Sequence, residues 1–68
     1  MRYAVVIEKA GLNFSGYVPE LPGCVATGPT IPEVEGALAE AIRFHIEGLL
    51  EDGLEVPPPV AKAEYIEA

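Results

Sequence analysis

Most of what protein chemistry recruits is scarce in this sequence. It has one cysteine, Cys24, one histidine, His45, and no tryptophan. A lone cysteine closes no intrachain disulfide, so the chain is expected in a reducing compartment, the cytoplasm. A zinc site takes three or four Cys, His or carboxylate ligands at recognisable spacing, and that spacing is missing, so no metal ligand is expected. Basic residues are few: 4 Lys and Arg against 11 Asp and Glu give a formal net charge of −7. Nucleic-acid binders draw most of their affinity from Lys and Arg on phosphates, so direct nucleic-acid binding by this chain is not expected. No window approaches the roughly eighteen consecutive apolar residues of a membrane span. Nor does the amino terminus have the basic-then-apolar form of a secretory leader. No membrane association is expected.

What is present is hydrophobic: 50% of the 68 residues are apolar and 22% charged, the balance of one folded domain over residues 1–68. Ordering such a chain costs on the order of 100 kcal/mol, and so small a core returns little more, so a partner subunit is expected to help.

Met1 to Glu8 (M-R-Y-A-V-V-I-E) is rich in β-branched and aromatic residues and reads as a first strand. Ala10-Gly11-Leu12-Asn13 has turn chemistry, and Phe14 to Val18 follows, so the two strands pair as an antiparallel hairpin. Pro19 and Pro22 cannot donate to a ladder, and Gly23 permits a tight bend, so P-E-L-P-G is a rigid loop. Cys24 to Thr27 reads as a third strand, closed by Gly28-Pro29.

Thr30-Ile31-Pro32-Glu33 has the form of a capping box with proline in the first turn, which starts a helix. Val34, Leu38, Ala41, Ile42, His45, Ile46, Leu49 and Leu50 then recur at three- and four-residue steps, and Gly53 supplies the left-handed stop. The rod from Ile31 to Asp52 is about 33 Å long. Prolines at 57 to 59 make an extended connector, and Val60 to Ile66 (V-A-K-A-E-Y-I) reads as a final edge strand. The fold class is α+β: a single antiparallel sheet backed by one long helix, in β-β-β-α-β order.

One helix covers one face of such a sheet. The first strand is apolar on both sides, Tyr3, Val5 and Ile7 alternating with Ala4 and Val6. The uncovered face, or a free strand edge, is therefore expected to bury itself against a second copy or a partner, with a homodimer the leading form.

No catalytic, cofactor-binding or metal-binding residue is expected, and the chain does not read as an enzyme. Cys24 reads as a small buried apolar residue, since no second His or Asn is at hand to activate it. His45 reads as a border residue of the apolar stripe. Glu33, Glu40, Glu47 and Glu51 face outward as solvated charge, without the cleft that general acid–base chemistry needs. Glu51, Asp52 and Glu55 crowd the negative end of the helix dipole at a cost of a few tenths of a kcal/mol. Two readings of that crowding stay open: an acidic patch that receives a basic partner, or surface charge of no consequence. Gly11, Gly16, Gly23 and Gly28 form no phosphate-cradling loop.

Three runs carry a resemblance: Y-A-V-V-I-E-K; F-S-G-Y-V-P-E-L-P-G-C-V-A-T-G; and the capped helix ending L-L-E-D-G, followed by P-P-P. Together they resemble the HicB family of bacterial antitoxins over nearly the whole chain, most specifically at Glu20-Leu21-Pro22-Gly23-Cys24. The resemblance implies a partial ribonuclease-H-like fold without that fold's catalytic acids. It also implies a type II toxin–antitoxin role, neutralising a small basic mRNA-cleaving toxin of the HicA kind by masking it. Family members often add a carboxy-terminal DNA-binding segment; this chain ends at Ala68 and resembles a short form without one. Tyr17, Glu20, Leu21 and Pro22 are the expected partner contacts, because a rigid loop bearing an aromatic and an acid loses little entropy on docking. The competing reading is that Leu21-Pro22-Gly23 only shapes the turn. For the whole protein the competing reading is a stand-alone self-associating or small-ligand-binding domain.

Overall fold

Pairing in the sheet is set by the turn at Gly11 and Leu12. The computed structural model describes all 68 residues, and in it β1 (Val6–Ala10) and β2 (Asn13–Tyr17) form an antiparallel hairpin closed by those two residues. Gly11 has φ 63° and Leu12 is not left-handed, the pattern of a type II′ turn. β2 also pairs with β3 (Val25–Gly28), so the sheet order is β1-β2-β3 with both outer strands at an edge. α1 (Ile31–Glu51) packs across β2 and β3.

The first strand is shorter and later than expected, beginning at Val6 rather than Met1. The cause lies across the hairpin. With Ala10 opposite Asn13 and Val6 opposite Tyr17, residues before Val6 would need to pair beyond Tyr17, where Val18 turns into the loop and Pro19 has no N–H to offer. The other two strands are displaced by one residue from the ranges read off the sequence, and the helix matches at its start.

Both helix ends follow local chemistry. Thr30 is extended and its Oγ1 accepts the Glu33 N–H at 3.3 Å. At the other end the Leu54 N–H donates to Leu49 O at 2.8 Å and the Gly53 N–H to Leu50 O at 3.1 Å, with Gly53 at φ 69°. That is a Schellman stop, as Gly53 led us to expect.

Only 6 of the 68 residues are fully buried, so the core is one knot: Val18, Leu21, Cys24, Val34 and Leu38 around Gly16. Tyr3, Val5, Ile7, Phe14, Ala26 and Ile42 pack against it. Lys9, paired with Phe14 in the ladder, lays its ammonium 5.4 Å from the centre of that ring. The two fully buried helix residues, Val34 and Leu38, both lie in the first half of α1.

The expected final strand is not formed. Residues 60–66 carry no ladder, and Val60, Tyr65 and Ile66 are exposed. The segment is instead tied down by side chains. The Tyr3 hydroxyl donates to Pro57 O at 2.5 Å, and Glu20 Oε2 accepts the N–H groups of Val60 and Ala61 at 2.8 and 3.0 Å. Those two amides are among the donors a fourth strand would need for pairing, and a carboxylate has taken them. The order observed is β-β-β-α.

Candidate functional site

The four expected contact residues lie in four environments. Tyr17 is on the open face of the sheet and 43% exposed. Pro22 is exposed at the tip of the loop. Leu21 is completely buried and packs in the core, so its side chain offers nothing to a partner. Glu20 is engaged with the backbone of Val60 and Ala61.

The loop's own hydrogen bonds explain why Leu21 turns inward. The Val18 N–H donates to Cys24 O at 3.0 Å, the Leu21 N–H to Val18 O at 3.1 Å, and the Cys24 N–H to Leu21 O at 3.1 Å. These close residues 18–24 into a ring, with Gly23 at φ 90° supplying the bend. Pro19 and Pro22, which need no donor partner, sit outside it. Leu21 thus packs in the core and Gly23 makes the bend.

Cys24 is also in the core, its thiol 3.7 Å from Ala41 O. Burial pushes this thiol above the ordinary cysteine range, which disfavours the thiolate.

Two apolar surfaces face water. The first is the sheet face opposite α1. Gly16 points toward the helix, since an added Cβ would meet Leu38 and Val34, so its ladder neighbours Ile7 and Ala26 share that side. The alternate row, Val6, Tyr17 and Val25, is then on the open side, with Val25 66% exposed. The next row on that side is Glu8, Ser15 and Thr27, so the apolar strip crosses all three strands and carries little charge.

The second surface is on the outer half of α1. Phe44 is 79% exposed and borders a cavity of about 270 Å³ lined also by His45, Gly48, Leu49 and Asp52. His45 is half-buried there, at the border of the apolar stripe as expected. Phe44 falls outside that stripe in the sequence, and this offset is the signal that it has only water to face. No three His, Cys, Asp or Glu side chains converge as a metal-ligand group. No helix is long and apolar enough to cross a membrane.

A hairpin, a third strand and a capped helix on one face, closed by a ring at 18–24, define a small α+β domain built around surfaces. The family model of the HicB-like antitoxin of bacterial toxin–antitoxin systems matches residues 3–68, and the chain belongs to that family. A solved structure described as "HicA3 and HicB3 toxin-antitoxin complex" contains a chain superposing with a TM-score of 0.71 at 35% identity, over 87% of this chain and 70% of that one. An uncharacterized 14.9 kDa protein of Haemophilus phage HP1 is 42% identical over 66 residues, covering 97% of this chain and 50% of the phage protein. The chain thus spans about half the length of that curated relative.

Proposed function

We propose that this domain is the binding module of an antitoxin, which neutralises a small, basic, mRNA-cleaving toxin of the HicA kind by covering it. Family membership carries the reading, and the physical character of the surface supports it. A net charge of −7 favours encounter with a cationic partner, and apolar side chains stand exposed on two sides for it to bury. The role is one of regulation by contact, and no residue of this chain is assigned to catalysis. Tyr17 and Pro22 remain available as contacts; Leu21 does not.

Self-association belongs to the same proposal. The Val6–Tyr17–Val25 strip is nearly neutral, so two copies can face each other across it without opposing like charges, and a dimer built on it leaves α1 free. That observation also favours the second reading, a self-assembling domain without a toxin.

Titrating the purified chain with the small basic protein encoded beside its gene separates the two. A complex at low salt that inhibits RNA cleavage is the result expected. A dimer by light scattering that forms no such complex would leave only the second reading.

A further inference from the structure

The outer half of α1 holds an arrangement that neither the fold nor self-association uses. Phe44 stands at its centre, 79% exposed. Glu40, Glu47 and Glu51 lie four residues before, three after and seven after it, offsets that place all three on the same side of the helix. Asp52 joins them at the rim of the 270 Å³ cavity beside Phe44, and all four acids are exposed. The chain's one ion pair, Lys62 with Glu64, is elsewhere, so none of these carboxylates is held in an ion pair, and Arg43 is the one cation beside them. The last turn of the helix contains no basic residue either, although cations there would complement the dipole.

We propose that this shelf is where the toxin docks, a proposal that rests on the antitoxin reading above. Its occupant is a basic protein surface that offers an apolar side chain to the cavity beside Phe44 and Lys or Arg to the acids around it. An apolar anchor flanked by four acids against the single cation Arg43 is the form of a central contact with a predominantly acidic steering rim. A second copy of this chain is the wrong occupant. A two-fold contact through Phe44 would set Glu40, Glu47 and Glu51 against their own equivalents, whereas a cationic partner satisfies them. The open sheet strip, lacking that charge, is the better surface for self-association.

The test uses the full chain as wild type, as Phe44→Ser, as the double reversal Glu47→Lys with Glu51→Lys, and as Val25→Ser on the opposite face. Each is titrated with the small basic protein encoded beside this chain's gene and with the HicA3 toxin, at low and physiological salt. All four residues are exposed, so circular dichroism should show unchanged folding. Phe44→Ser should weaken binding by about tenfold or more. The double reversal should weaken it comparably and flatten its salt dependence. Val25→Ser should stay within about twofold, as residues outside a contact do. Wild-type binding with Phe44→Ser and the double reversal equally tight would overturn the docking site and leave the antitoxin reading standing. Failure of the wild type to bind either protein at low salt would overturn both. A wild-type dimer that becomes monomeric with Phe44→Ser would give the shelf to a second copy and refute the proposal.

Discussion

Gly16 lies directly beneath Leu38: a Cβ built on it would fall 2.8 Å from Leu38 Cδ1, and equally close to Val34 Cγ1. The helix rests on bare backbone at this point. Gly16→Ala should therefore destabilise the domain by about 1–2 kcal/mol, the cost of overpacking outweighing the few tenths gained from a stiffer unfolded chain. A fall in urea midpoint at constant m-value is the expected measurement, and an unchanged midpoint would show that α1 can lift away without cost.

Leu21 tests how the ring at 18–24 contributes. Being fully buried in so small a core, Leu21→Ala should cost about 2–4 kcal/mol and leave little folded protein, while Pro22→Ala, at an exposed tip, should change stability by about 0.5 kcal/mol or less. Equal effects from the two would place Leu21 outside the core.

These two residues also mark what the sequence discloses and what it conceals. The hairpin turn at Gly11, the Thr30 cap and the stop at Gly53 are local devices, each written in a few adjacent residues, and each forms where its chemistry points, although of the capping box only the Thr30 half is made. Leu21 is different. It lies between prolines, in what composition calls a surface loop, and its inward turn depends on the Val18 N–H donating across the ring to Cys24 O while Leu21 itself bonds both ends. The final strand fails for a similar reason: V-A-K-A-E-Y-I has strand propensity, but Glu20, forty residues upstream, holds its first amides. Nothing local in either segment announces the other. At the surface, the acids around Phe44 are countable in the sequence, but its exposure follows only from the direction the stripe faces.

Glu20→Ala should free the carboxy-terminal segment. With the carboxylate gone, amide exchange at Ala61 should quicken by about five- to tenfold, corresponding to about 1 kcal/mol of local opening, and at Val60, which also donates to Pro58 O, by less, while α1 amides keep their protection. Glu20→Gln, which retains a carbonyl acceptor, should fall between. Identical exchange in all three proteins would mean the segment is held by other contacts.

At the end of the helix, stability and recognition should pull apart. Glu51→Lys puts a cation at the negative pole of α1, so the melting temperature should rise by an amount matching about 0.3–1 kcal/mol. Thr30→Ala at the opposite end should lower it, at about 0.5–1 kcal/mol, because the cap there is long at 3.3 Å. A gain at Glu51 with loss of toxin affinity would show acid retained for contact at the expense of folding.

The Cys24 thiol gives a pH signature. Its folded-state pKa is raised by burial, so the fold favours the protonated form. The resulting contribution to stability is complete below the ordinary thiol range and is lost as the pH climbs through and beyond it. Urea midpoints should thus be flat near neutrality and decline at alkaline pH, with Cys24→Ala removing part of the decline. Native protein should react slowly with a disulfide reagent, and rapid reaction in the folded state would contradict the burial seen here.

α1 buries both of its fully enclosed side chains, Val34 and Leu38, in its first half, so the side of its later turns that carries Phe44, Glu47 and Glu51 is free of any duty in holding the body together. A visitor can lie along that side without prying anything loose. Attachment and release there need no rearrangement of the body, so capture can be quick and its reversal set by the strength of the grip alone.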